Sequence, residues 1–307
     1  MVDDAEKPEI FVGTFMAMVH DGRACSLPGQ VPKVYTNMDQ AIAYCRAKGP
    51  GWHCMTNAEY AAIALWCKAN GYYPRGNNNY GSDHGYPHEK CRPGTVGSDG
   101  RINLGLTGSG PNSWTHDGTP NGIYGLNGDG WEWAIGLRTN NGEIHILTGN
   151  NAAKNTADLT AGSAEWKAIL PDGTLVAPGT AGTLKIDIVS GVPKISTTVK
   201  TTTSGDQWPS TPFKDLAVES GITIPDILKA LASSLRITAI MAGIDFTQGM
   251  TGKNASSAVG IGTARLALAF SVCMAAPRVL IPMAALASAP LTFFCKSVVA
   301  ATADTAN

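Results

Sequence analysis

Gly125-Leu126-Asn127-Gly128-Asp129-Gly130-Trp131-Glu132-Trp133 is the run on which the fold turns. Its first six residues hold three glycines with Asn127 and Asp129, the residue types that tolerate positive φ, so they read as tight turn. The chain then switches to two indoles flanking one carboxylate. Indoles carry large apolar area, whereas a carboxylate between them is costly in a core unless it is paired. Trp131–Arg138 and Glu143–Leu147 flank Thr139-Asn140-Asn141-Gly142, whose Asn-Gly pair supplies the backbone angles of a tight hairpin.

Upstream, Thr56-Asn57-Ala58-Glu59 is a capping box in which Thr56 and Glu59 satisfy backbone donors reciprocally. Residues 61–68 continue that helix, and Gly71 ends it. Asn37–Lys48 places Met38, Ile42 and Cys45 at helical spacing, and Glu9–His20 alternates as a strand. From Gly71 to Gly130 the chain is crowded with Gly, Asn, Asp, Pro and Ser, which predicts long ordered loops around one short strand at Arg101–Leu106. Further strands are expected at 166–170 and 183–188 around an Asp172-Gly173 turn, then a Thr/Ser/Pro loop over 200–212. Pro225 opens a helix toward Ala232.

Downstream of Ala232 the character changes. Between Leu266 and Ala300 only Arg278 and Lys296 are charged, yet Arg278 and the prolines 277, 282 and 290 interrupt the run before about 20 smooth apolar residues accumulate. Membrane insertion is therefore not expected.

Composition narrows the function classes. A formal charge of -1 without a basic cluster argues against nucleic acid, which is held by Lys and Arg gathered on one face. Residues 1–7 lack the basic start and apolar stretch of a secretory signal peptide. Seven cysteines without CxxC spacing imply neither a zinc ribbon nor a disulfide framework, and read as buried thiols.

Two segments carry a family resemblance. Residues 56–62 resemble the threonine-anchored helix start of diversity-generating retroelement target proteins, and residues 125–133 are similar to the Gly-Asn-Val-Trp-Glu-Trp signature of that family. Here Asp129-Gly130 stands where Asn-Val is usual. The resemblance implies an α+β, C-type-lectin-like domain of the kind shared with formylglycine-generating enzymes (sulfatase-modifying factors): two helices, a small twisted antiparallel sheet and long loops. It further implies that Trp131 and Trp133 pack in the core while Glu132 satisfies buried donors.

In such proteins a diversified C-terminal segment binds a host-receptor protein or glycan, from a phage tail tip, virion or bacterial surface. The expected organisation is a scaffold over 1–232, with an inserted strand and loop region at about 150–220 loosely resembling insertions of the family. Residues 233–307 stand in place of the variable region. Regrouped in a shifted phase, their degenerate back-translation permits LFPAD, GGD, ERL, RGGNW, AGLF and RSNSN in the family's order, so a frame-shifted and poorly folded segment is expected there.

The resemblance implies recognition rather than turnover. A formylglycine-type oxidase would need a late cysteine pair, but the surroundings of Cys273 and Cys295 do not match that motif. A membrane-attached protein using the apolar tail is the third class. His84, His88 and Cys91 suit no common closed zinc site. The Asn127-Gly128-Asp129 turn offers one carboxylate to calcium, too few for an oxygen cage, so no cofactor is expected. His116-Asp117 reads as a capped turn. Candidate ligand contacts are Tyr80, Tyr86, Trp114 and Arg138, with Tyr72 and Tyr73 beside them; Tyr and Trp supply contact area at low entropic cost.

Overall fold

A computed structural model of the chain describes residues 2, 5–189, 192–199 and 217–228, with backbone alone at 131, 188–189, 192–193, 206–207, 248–249, 255–259, 269–271 and 278–282. The proposed frame-shifted segment 233–307 thus lies outside the described residues apart from those short backbone stretches. Cys273 and Cys295 lie outside them too, as does the loop expected over 200–212 apart from the backbone of Asp206–Gln207, which pairs with Gln248–Gly249.

Strands β1 (Glu9–Gly13), β2 (Ala17–His20) and β3 (Arg23–Ser26) precede helices α1 (Met38–Arg46) and α2 (Asn57–Ala69). The single strand expected over 9–20 is therefore two. The chain bends at Thr14-Phe15-Met16, where the Phe15 amide donates to Ser26 Oγ at 2.8 Å, and β2 turns onto β3 through Asp21 and Gly22, both at positive φ. Next come β4 (Pro93–Val96) and β5 (Ile102–Gly105), a separate hairpin, followed by β6 (Trp131–Asn140) and β7 (Glu143–Leu147). Asn141 and Gly142 take φ of 49° and 81° and close the β6–β7 hairpin as the Asn-Gly pair requires. β8 (Trp166–Ile169), β9 (Leu175–Val176), β10 (Lys185–Val189) and β11 (Val192–Ser196) complete the main elements.

The main sheet runs Ala217–Val218, β11, β10, β7, β6, with β8 also on β7 and β9 on β8. Most pairings are antiparallel, and Ala217–Val218 is parallel to β11. The backbone of Ala255–Val259 lies antiparallel on β6, Ala269–Ser271 runs parallel beside its Trp131 end, and Arg278–Pro282 pairs with β1.

The two helices pack on opposite faces of the β6–β7 hairpin, α1 by one stripe and α2 enclosed on all sides from Asn57 to Ala64. Tyr60, Ile63, Ala64 and Cys67 of α2 pack with Leu137, Ile144, Ile146 and Ile186. Ile42 and Cys45 of α1 pack instead with Ile135, Leu147 and Trp166. Strand alternation sends 144 and 146 one way and 145 and 147 the other, but Ala134 and Leu137 share a face although three residues apart. Gly136 resolves this: its φ of 92° inserts an irregularity, and a Cβ there would sit 3.0 Å from Ala152 Cβ. The start of α2 is tied to that irregularity, because Ile135 N donates to Met55 O and Asn57 Nδ2 donates to Ile135 O at 3.1 Å.

Both helices start on capping boxes: Thr56 with Glu59, as the sequence predicts, and Asn37 with Gln40. The helix expected from Pro225 is described as far as Leu228. Among the described residues no helix is long and apolar enough to cross a membrane.

Candidate functional site

The loop following α2 is built from inside out. Asp83, 5% exposed, accepts from the amides of Gly76, Gly85 and Tyr86 and from Asn78 Nδ2. Asn77, equally buried, accepts the Gly81 amide on Oδ1 and donates Nδ2 to Asp129 Oδ1 at 2.6 Å. The Asp129 amide returns to Asn77 O at 2.8 Å, so the loop and the 125–130 turn interlock. Glycine is obligatory at this junction. A Cβ at Gly76 would lie 1.6 Å from Asn127 O, and one at Gly128, φ 83°, would lie 2.3 Å from the Asn77 carbonyl.

A second clamp closes the far side. Arg75 donates Nε and Nη2 to the two oxygens of Glu89, at 2.9 and 2.5 Å, and Trp114 Nε1 donates to Glu89 Oε2 at 2.9 Å. The Arg75 hydrogen bonds hold the Glu89 carboxyl below its usual range. Turned outward, the same guanidinium covers the Tyr86 ring with Cζ 3.8 Å from its centroid, and Arg101 covers Tyr80 at 4.7 Å.

Those two rings remain open to solvent. Tyr80 is 53% and Tyr86 45% exposed, and His84, His88, Lys90 and Arg92 around them are exposed as well. Tyr80 has a φ of 49°. Six non-glycine residues among those described take positive φ; four are Asn or Asp, whose short polar side chains tolerate it, and the others are Tyr80 and Tyr35. Tyr35 is 77% exposed at a φ of 55°. Its loop is seated near the same hairpin as Tyr80, with Val34 on the Met16–Leu104 cluster and a Cβ at Gly81 falling 2.6 Å from Ile102.

Two sequence candidates do not reach this face. Trp114 is 5% exposed, with its ring against Gly110 and its indole N–H on Glu89. Arg138, also 5% exposed, stacks on Trp166 at 4.2 Å and donates to His145 Nδ1, Thr160 O and Ala161 O. In each case distant protein groups occupy the polar atoms that a ligand would use. His145 Nε2 continues the Arg138 network to Glu143 Oε2 at 2.7 Å, and Glu143 also accepts from Thr183 Oγ1 and Gly179 N. Tyr72 and Tyr73 are exposed, and Tyr72 stacks on Trp66 at 5.9 Å.

The motif residues lie inside the scaffold. Trp133 is half-buried and donates Nε1 to Thr36 O at 2.7 Å; the side chain of Trp131 lies outside the described residues. Glu132 is 5% exposed; burial first, and the Asp129 charge second, push its carboxyl up to about 8. A carboxyl whose burial outweighs its stabilising contacts escapes that desolvation cost by keeping its proton. Burial likewise raises Asp129 to about 6, against the opposing hydrogen bonds from Gly105 and Asn77.

Asp129 Oδ1, the carboxylate considered for calcium, is thus engaged by two protein donors. Among the described residues no three His, Cys, Asp or Glu side chains stand together as a metal-binding group. His84 and His88 point outward while Cys91 is buried with Sγ 3.4 Å from Gly81 O. Burial pushes the Cys67 and Cys91 thiols up to about 12, which disfavours the thiolate that sulfur chemistry needs. His116 accepts the Ile123 amide on Nδ1, and burial lowers its pKa despite Asp117 at 3.7 Å.

Taken together, the chain is an α+β protein with few helices and a curled, antiparallel-rich sheet, carrying an internally bonded loop that presents aromatic rings. No protein-family model matches it, and no curated protein does.

Proposed function

We propose that the chain is a non-catalytic recognition module on a C-type-lectin-like scaffold of the retroelement-target kind, displayed on a virion or bacterial surface. The observation that carries this reading is the pair of exposed tyrosines, Tyr35 and Tyr80, held in left-handed backbone. A bulky residue there costs about 1–3 kcal/mol, which Gly would avoid, and neither ring recovers that cost by burial. Strain kept for an exposed ring is the mark of a presented contact. The bonded interior of the loop adds preorganisation, since a ring already fixed loses little entropy on binding. The motif resemblance at 56–62 and 125–133 supports the same class.

The test is a screen of the full chain against arrayed glycans and surface proteins, repeated with Tyr80→Gly and Tyr86→Ala. A saturable ligand is expected whose affinity falls about tenfold or more in either variant, the effect of losing an aromatic anchor. Tyr80→Gly keeps or raises the melting temperature, because relief of strain offsets the added chain entropy of glycine, itself about 0.5–1 kcal/mol. Oxidation of a sulfatase-type cysteine peptide by the protein, or ligand binding indifferent to both tyrosines, overturns the reading.

A further inference from the structure

The loop over residues 76–92 sorts its charges by sign. Asp83 is turned inward onto three amides and Asn78, and Glu89 is held by Arg75 and Trp114. The cations point the other way: Lys90 and Arg92 are exposed, as is Arg101 on the adjacent β5 hairpin. Asp99 is 3.8 Å from Arg101 with both side chains 58% exposed, a contact that water screens heavily. Carboxylates inside and cations outside leave a positive outer face on a chain whose formal charge is -1.

The apolar content of that face is equally selective. Within 76–92 the exposed residues include Tyr80, Tyr86, His84, His88 and Pro87, and on the adjoining β4–β5 hairpin Val96 is a single exposed aliphatic. A protein interface needs a continuous apolar centre of several hundred Å². Isolated rings separated by glycine, amide and imidazole groups do not supply one. Each ring has a guanidinium on one side, Arg101 over Tyr80 and Arg75 over Tyr86, and at about half exposure each keeps open area for a second flat partner. The C–H face of a pyranose fits such a ring, and a sugar carboxylate beside it meets Arg101, Lys90 or Arg92. Tyr80 and Tyr86 are carried by one loop, which offers two rings to the same ligand.

We infer that this face takes an acidic polysaccharide, with Tyr80 and Tyr86 stacking on successive sugar rings and Lys90, Arg92 and Arg101 pairing their carboxylates. This rests on the recognition reading above and narrows it to one ligand class. Nucleic acid, which also stacks on tyrosine, is disfavoured because its denser phosphate charge calls for a longer basic track than three cations. Lys90 is positioned opposite Ser82 by a backbone bridge, and the Cys91 amide donates to Gly81 O, so both ends of the loop are fixed beside Tyr80.

The experiment is calorimetric titration of the full chain with hexagalacturonate, maltohexaose, hexaglutamate and octathymidylate at low and physiological salt. Hexagalacturonate is expected to bind about tenfold or more tighter than maltohexaose, and to weaken several-fold as salt rises. The triple variant K90Q/R92Q/R101Q abolishes the preference over maltohexaose, while Tyr86→Ala weakens both sugars together. All four positions are on the surface, and circular dichroism checks that each variant is folded. Equal binding of maltohexaose overturns the acidic class and leaves the recognition reading standing. Tighter binding of hexaglutamate or octathymidylate overturns the sugar class in favour of an acidic peptide or a nucleic acid. No binding of any of the four, alongside a Tyr80-dependent protein ligand in the array screen, overturns the inference alone.

Discussion

Replacing Glu59 by alanine is expected to destabilise the chain by about 3–5 kcal/mol, the cost of stripping one partner from a buried ion pair. Glu59 is 3% exposed, with Oε1 2.8 Å from His53 Nε2 and Oε2 accepting the Thr56 amide at 2.9 Å. Alanine leaves His53, 1% exposed, without its carboxylate. It also breaks the capping box at the point where α2 meets the Ile135 irregularity, so the loss reaches the main sheet. Gln keeps the acceptor for Thr56 but not the charge, and should cost less, about 1–3 kcal/mol.

The pH dependence of this pair has a definite sign. Burial alone lowers the His53 pKa, but the charge and hydrogen bond of Glu59 outweigh it and the net shift is upward. A raised histidine stabilises the fold below its unfolded pKa, and that stability is lost as pH rises through the folded value. Glu59→Gln therefore narrows its deficit to wild type above neutrality. Urea midpoints for both variants give the result, and a Glu59→Ala cost under about 1 kcal/mol contradicts the buried-pair account.

The second large effect is a gain. Glu132 titrates at about 8 in the fold, so wild type loses stability as pH rises from the ordinary carboxyl range toward that value, at roughly 1 kcal/mol per pH unit. Glu132→Gln removes the ionisation while keeping the shape. It should exceed wild type at pH 8 by roughly 2–4 kcal/mol, with the two converging near pH 5. His116 and His145, whose pKa values burial lowers, act below pH 6.5, so the window from there to pH 8 is free of them. Parallel pH profiles for wild type and Glu132→Gln contradict the protonated carboxyl.

What the sequence made legible was local. The Thr56 and Glu59 capping box, the Asn141-Gly142 turn and the strand from Trp131 each depend on neighbours within a few residues, and each forms. The break of the first strand at Phe15 was hidden, because it depends on Ser26 and Tyr124 meeting the bend from later in the chain. Trp114 and Arg138 read as exposed contacts because their partners, Glu89 and the carbonyls of 160 and 161, stand 22 to 25 residues away. Tyr35 and Arg101 gave no sign of a role: tyrosine does not advertise positive φ, and Arg101 gains meaning only over the Tyr80 ring. The raised pKa of Glu132 is not legible in its neighbours either, because burial in the folded core sets it.

Rigid presentation of Tyr80 and Tyr86 requires that the 76–92 loop be ordered before any ligand arrives. Amide hydrogen exchange on the free protein measures this. The amides of Gly81, Cys91 and Asp129, bonded to Asn77 Oδ1, Gly81 O and Asn77 O, should exchange at least about 100-fold slower than an unstructured chain. Exchange of these three at free-chain rates, while β6 and β7 stay protected, would show a loop that orders only on binding and would contradict the rigid presentation of Tyr80 and Tyr86.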